Sequence, residues 1–294
     1  MNEHSRPILF GEVLYDCFPD GKQVLGGAPF NVAWHLQAFG LNPFFISRVG
    51  RDELGSSIKN AMLDWGMDTR GLQIDDTFPT GSVKVSVENN EPSYEIVNDR
   101  AWDYIAYDDI THIKDGFLYH GSLATRNQTS RSTLDKIKQA LPFPVFIDVN
   151  LRSPWWDRSL VWKDIENSQI VKLNDLEIST IIEQEQTLDH QIETLLSNSK
   201  IETLIVTCGA KGAIAAHKNG ERFNIKPERS GHLIDTVGAG DAFSSVLLLG
   251  AINKWPTQLT MQRAQQFASQ IVGIQGATVK DRNFYKSFIT HWNL

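Results

Sequence analysis

Along most of the chain, short apolar runs alternate with longer amphipathic stretches. The runs ILFGEV (8–13), FFISRVG (44–50), GFLYHGS (116–122), PVFIDVN (144–150), QIVKLN (169–174) and LIVTCG (204–209) are rich in β-branched and aromatic residues. Several are nearly continuous in apolar character, the pattern of strands covered on both faces. Between them, apolar positions recur at helical spacing over 30–39, 53–65, 131–141, 188–196 and 242–252. This alternation predicts an α/β fold of βα units around a mainly parallel sheet. Ligands bind such sheets beyond the carboxyl ends of the strands, and polar residues gather there. Asn150 and Arg152 follow FIDV, Asn174 and Glu177 follow IVKL, and Gly209 and Gly212 follow LIVT. No internal repeat or low-complexity linker interrupts the pattern, so residues 1–294 read as one domain.

The segment 81–97, GSVKVSVENNEPSYEIV, has a different period. Val83, Val85 and Val87 alternate with polar residues, NNEP makes a turn, and Tyr94 and Ile96 resume the alternation. This is a hairpin with one apolar face, and VLYDCF (13–18) is a candidate partner strand. A small sheet of this kind serves as a lid over a site, as a subunit interface, or as a plain edge decoration. A lid built from about 13–28 and 80–107 is the expectation.

Composition narrows the chemistry. Hydrophobic content of 41% supports a sizeable core, and a net charge of −7 argues against nucleic acid or an anionic membrane as partner. Any anion site must then be built locally. Two cysteines, Cys17 and Cys208, do not make a disulfide framework and suit a reducing cytoplasm. The first residues lack the apolar segment of a signal peptide, no stretch is long enough to span a bilayer, and no HExxH or CxxC pattern suggests zinc.

The stretch DTVGAGDAF (235–243) stands immediately before the apolar run SSVLLLGAI. Glycine in a helix interior costs roughly 1 kcal/mol relative to alanine, so two glycines there suggest a helix start. At such a start unpaired N–H groups and the helix dipole favour an anion, and glycines let it come close. Asp241 would stand beside that anion as a base, or would be an ordinary N-cap. No GxxxxGK[ST] loop occurs, and neither GAGDAF nor GGAPFN completes GxGxxG, so a nicotinamide-dependent oxidoreductase lacks its fingerprint.

DTVGAGDAF, together with VLGGAPFNVAWHLQAFG (24–40), resembles the ribokinase-like carbohydrate kinases of the PfkB family, and the likeness spans essentially the whole chain. The resemblance implies a three-layer α/β/α sandwich with a small β-sheet lid, and ATP-dependent phosphorylation of a sugar. It implies that Asp241 is the catalytic base and that Gly238, Ala239 and Gly240 form the anion hole. Asp235 matches a position that helps bind a monovalent cation, usually potassium; its plain role is a helix-entry Asx turn. Asn174 and Glu177 match an NxxE element that orders Mg²⁺ and its waters, or are simply a helix cap. Thr207, Gly209 and Gly212 match a loop at the nucleotide phosphates and otherwise read as a turn.

On the sugar side the resemblance assigns Asp16, Gly26, Gly27 and Asn31. Arg152 is within its reach or is a surface charge, Trp102 stacks on a sugar ring or packs the lid, and His120 reads as structural. GGAPFNVA and GEVLYD are closest to fructokinases, which makes fructose the expected acceptor. Val149, where proline is common, and Trp102, where smaller residues are usual, depart from that pattern. Alternatives are a kinase for ribose, a nucleoside or a keto-deoxy sugar acid, and a non-catalytic sugar-binding regulator. The expected partners are a small sugar and ATP, with Mg²⁺, potassium as an activator, and a homodimer through the lid as an open arrangement.

Overall fold

In β1 (Arg6–Phe10), Leu9 faces one side of the sheet while Ile8 and Phe10 face the other, and all three are fully buried. This computed structural model describes residues 5–88, 91–108, 113, 115–182, 187–197, 199–227 and 235–294. The chain bends after β1 and enters a second sheet through β2 (Leu14–Cys17) and β3 (Gln23–Gly26). Of the run 8–13, expected as one strand, only 8–10 lies in β1; residues 11–13 form the bend that leads to the second sheet. Next come α1 (Ala28–Ala38), β4 (Phe44–Gly50), α2 (Glu53–Asp64) and β5 (Leu72–Asp75). α1 begins earlier than its apolar pattern suggests, because Pro29 sits in the first turn, where its missing N–H has no helical partner to lose.

β6 (Gly81–Glu88) and β7 (Glu91–Ile96) form the expected hairpin; its NN tip lies outside the described residues. β8 (Gly116–His120), α3 (Gln128–Ala140), β9 (Val145–Asp148), α4 (Arg158–Glu166), β10 (Ile170–Asn174), α5 (Asp175–Ile182) and α6 (Leu188–Ser197) continue the βα alternation. β11 (Thr203–Thr207), β12 (Ala213–His217) and β13 (Arg222–Ile225) precede α7 (Ala239–Ile252), α8 (Thr257–Ile271) and α9 (Arg282–Trp292).

The large sheet has the order β13-β12-β11-β10-β9-β8-β1-β4-β5. It is parallel from β11 to β5, and β12 and β13 add an antiparallel edge. Because side chains alternate faces along each strand, two cores form. α1, α2, α7, α8 and α9 cover one face, and α3 to α6 cover the other. This is the three-layer α/β/α sandwich. α4, α5, α8 and α9 lie outside the helical patterns read from the sequence, although the cap read at Asn174 and Glu177 anticipates the start of α5. In α9, Tyr285, Phe288 and Trp292 recur at helical spacing and pack on Phe39 and Phe267.

The small sheet has the order β3-β2-β6-β7, so the segment at 14–17 does pair with the hairpin. Its register places Asp16 beside Val24 and Val83, with Ile96 next in line. Tyr15 points the opposite way and reaches Ser57 Oγ at 2.8 Å.

Candidate active site

Two helices buried along most of their length, α1 and α7, pack together and begin at the carboxyl ends of the parallel strands. α7 starts at Gly238, whose φ of 79° is left-handed and whose added Cβ would lie 2.4 Å from that of Ala277. Only glycine meets both conditions without strain. Asp235 shapes the approach: Oδ1 accepts from Val237 N at 2.9 Å and Oδ2 from Gly276 N at 3.1 Å. The Asx turn anticipated from the sequence is thus present, and it anchors the glycine loop to Gly276.

Asp241 lies in the first turn of α7 and is half-buried. Asn31, in the first turns of α1, donates from Nδ2 to its Oδ2 at 2.7 Å, although the two are 210 residues apart. Burial raises the Asp241 carboxyl to about 6, with the Asp148 charge adding to the rise; the Asn31 bond, Lys172 and Arg152 oppose it. The carboxylate is therefore a stronger base than a solvated one and is still ionised at neutral pH.

Beneath it lies a buried network that the sequence reading missed. Lys172 Nζ donates to both oxygens of Asp148, at 3.0 and 2.9 Å. Ser244 Oγ and Tyr119 OH also donate to Asp148 Oδ2, at 2.7 and 3.3 Å. An added Cβ on Gly240 would sit 3.4 Å from Lys172 Nζ, so an ammonium floors the glycine loop. The available signal was a charge inside each of two apolar strands, which requires a partner when buried. Glu12 was missed too. It is buried, and one carboxylate oxygen has no hydrogen-bond partner.

Asp16 is half-buried on the face of the small sheet, and burial raises its carboxyl to about 6. Its carboxylate makes no hydrogen bond to another described residue, so none of these offsets its desolvation. Gly26 lies beside it, where an added Cβ would be 3.7 Å from Oδ2. Gly27 has φ 110°, and a Cβ there would meet Glu12 O at 2.5 Å. Burial raises the Tyr94 hydroxyl of β7, with the charges of Asp16 and Asp235 adding to the rise. Arg152 is exposed, yet its charge acts on both Asp241 and Glu12.

Asn174 and Thr207 are register partners on β10 and β11. Asn174 Oδ1 accepts from Leu176 N and Glu177 N, while Glu177 Oε2 accepts from Asn174 N at 2.8 Å. This reciprocal cap starts α5, and Glu177 Oε1 also accepts from Leu151 N at 2.8 Å. Gly209 and Gly212 lie in the β11–β12 hairpin turn, which Cys208 N closes on Gly212 O at 2.7 Å. Among the described residues no group of three or more His, Cys, Asp or Glu is placed to hold a metal ion. No helix among them is long and apolar enough to cross a membrane.

Trp102 requires correction as a sugar-stacking residue. Its ring is fully buried and fills the space over Gly81, where an added Cβ would lie 2.6 Å from Cδ1 and Nε1. Arg126 stacks 4.2 Å from the Trp102 ring centre and forms a two-pronged pair with Asp103 at 2.7 and 2.8 Å. Trp102 packs the base of the small sheet, the plainer of its two readings. His120 is likewise structural: burial lowers it to about 3, and Nδ1 contacts Gly121 O at 2.9 Å.

The family model described as pfkB family carbohydrate kinase matches residues 12–282. A fructokinase of Salmonella typhimurium is 29% identical over 295 residues, covering 94% of each chain. The crystal structure of a fructokinase from Vibrio cholerae O395, in a form with fructose, ADP and calcium ion bound, superposes with a TM-score of 0.78. It is 26% identical and covers 94% of this chain and 95% of that one. A fructokinase from Xylella fastidiosa with bound ATP superposes with a TM-score of 0.86 over 98% and 99% of the two chains; at 20% identity it speaks for the fold.

Proposed function

The chain belongs to the pfkB family of carbohydrate kinases, and from that premise we propose that it transfers the γ-phosphate of ATP to a primary hydroxyl of free fructose. The observation that carries the reading is the base Asp241 at an anion-binding helix start, with Asp16 left without a hydrogen-bond partner among the described residues. Sugar hydroxyls donating to Asp16 compensate its burial, and Gly26 and Gly27 let the ligand approach the backbone. Asp241 accepts the proton of the attacking hydroxyl as the new O–P bond forms and the bond to ADP breaks. The N–H groups of Gly238 and Gly240, above Lys172, face charge developing on the phosphoryl oxygens, and that of Ala239, which donates to Thr236 O at 3.3 Å without ligand, joins them as the anion binds.

Asn174, Thr207, Gly209 and Gly212 line the nucleotide side at the ends of β10 and β11, and Arg152 reaches phosphate or sugar oxygens. Magnesium, when bound, neutralises charge on the β- and γ-oxygens. Glu177 fits a role through water: each carboxylate oxygen takes one backbone donor and keeps further lone pairs, and the lack of an acidic cage among the described residues suits an ion held mainly by phosphates. Asp235, whose oxygens likewise carry one backbone donor each, is the candidate for a monovalent cation. The small sheet with its flanking segments, about 13–28 and 80–107, acts as the lid that keeps water from competing as acceptor. Its free cysteines suit a reducing cytoplasm. A homodimer through the outer lid face would cover the exposed Lys84–Glu95 pair.

A panel of sugars with ATP, followed by ADP release, tests the reading. Fructose should give the highest kcat/KM, and excess EDTA should abolish turnover; full activity in EDTA would remove the metal from the scheme. Asp16→Ala should raise KM for fructose and leave KM for ATP nearly unchanged. A lost hydrogen bond to a charged group costs about 1.5–3 kcal/mol, or roughly 10- to 150-fold. Preference for ribose or a nucleoside would overturn the sugar and keep the kinase, while binding without ADP release would favour a regulator.

A further inference from the structure

Arg152 is exposed, and among the described residues its side chain bonds to the carbonyl of its neighbour Leu151 alone, at 3.3 Å. Where its guanidinium can reach therefore depends on the turn that carries it. Trp155 N closes that turn on Arg152 O at 2.7 Å. Two groups from other elements hold it. Glu177 Oε1 accepts from Leu151 N at 2.8 Å on one side. On the other, the ring centre of Trp155 lies 4.6 Å from the guanidinium carbon of Arg126.

Arg126 precedes α3, and its side chain is only 6% exposed. Nε and Nη2 donate to the two oxygens of Asp103, and Nη2 donates also to Val97 O at 2.8 Å. The Trp102 ring centre is 4.2 Å from the same guanidinium. These contacts reach both roots of the 81–97 hairpin. Val97 follows the last residue of β7, and Trp102 covers Gly81 at the start of β6. Two residues further along β6, Val83 is the register partner of Asp16. A plain counter-ion for Asp103 would need neither indole. Here Nη1 is buried without a hydrogen-bond partner among the described residues, so the aromatic faces help to hold the cation in place.

We propose that Arg126 is a positioning residue for Arg152: locked to the root of the small sheet through Asp103 and Val97, it holds Trp155 and with it the turn of Arg152. Arg152 and the Asp16 side of the small sheet then meet the acceptor as one unit. The proposal rests on the kinase reading for what Arg152 does, but the link from Arg126 to the turn stands without it. Arginine is required because three tasks fall on one group. Its fork matches the carboxylate, a further N–H reaches the carbonyl, and its planar face stacks on indole. Lysine would keep the charge and lose the fork and the face.

Hydrogen exchange on the ligand-free protein reads the link directly. Arg126→Lys leaves a cation beside Asp103 and should fold. In it the amides of Val97 and Trp155, bonded to Ser82 O and Arg152 O, should exchange faster together while α7 keeps its protection. A Trp155 amide as protected as in the wild type would overturn the link. Turnover reads the consequence through a second variant. Trp155→Leu removes the ring that Arg126 holds and leaves the Asp103 pair in place, and it should lower kcat/KM for the sugar by roughly 10- to 100-fold. With Arg152→Ala already present, the same change should cost no more than about twofold, because the group it positions is gone. A merely structural role for Trp155 would cost the same in both backgrounds, and that result would overturn the proposal. If no sugar is phosphorylated, the kinase reading fails, and hydrogen exchange still decides the link.

Discussion

Asp241→Asn should yield a folded protein whose kcat for phosphoryl transfer is lower by ~10²–10⁴-fold, the range that a positioned base contributes. The replacement keeps shape and removes only the proton acceptor. Stability should not fall with it. Burial raises this carboxyl to about 6, so the folded state disfavours its ionised form at higher pH. Replacing it by a neutral amide removes that penalty above the folded-state value. Thermal melting at pH 8 should then show an unchanged or higher midpoint, alongside the collapse of ADP release. The same shift fixes the pH dependence of the wild type: the active form is ionised, so kcat/KM should fall as pH drops through about 6. Near-normal turnover by Asp241→Asn would remove this residue from the mechanism.

The second large effect lies beneath the site. Lys172→Met should destabilise the fold by about 3–5 kcal/mol, because it strands a buried carboxylate. Lys172 and Asp148 side chains are only 10% and 3% exposed, and among the described residues Ser244 and Tyr119 are the other side chains donating to Asp148. Adding Asp148→Asn to Lys172→Met should recover much of the loss, since the unpaired charge is then gone. Activity should behave differently. The ammonium near Gly240 is absent in both variants, so kcat should stay low in the double variant even as urea unfolding shows its stability returning. Recovery of both together would make Lys172 a structural counter-ion only, and a single variant as stable as wild type would contradict the buried pair.

The GAGD turn was legible in the residues themselves, because two glycines and an acid before a long apolar run have a local physical meaning. The alternation of strands and helices was legible for the same reason: periodicity records which face of an element is covered. The hairpin at 81–97 declared itself by its change of period. Helices α4, α8 and α9 were passed over: α8 and α9 carry a readable period but no strand runs frame them, and α4 is only nine residues long.

Other features depended on which distant elements became neighbours. The run 8–13 gives no sign that its strand stops at Phe10, since residues 11–13 in the bend are as buried as those in β1. Trp102 was ambiguous because an aromatic residue suits a sugar face or a packed base equally well; Arg126 and Gly81, on separate elements, decided for packing. Lys172 and Asp148 announced a need for partners but not which ones, and the β9–β10 register supplied the match. The Asn31–Asp241 bond joins residues 210 positions apart, and it forms only because α1 and α7 begin at the same end of the sheet. The sequence by itself determined most of the elements, their buried faces and the glycine-rich start of α7 with its acid, because those follow from local spacing. The tertiary structure alone decided which carboxyls share an environment, because that depends on strand order and helix packing, and no local period encodes either.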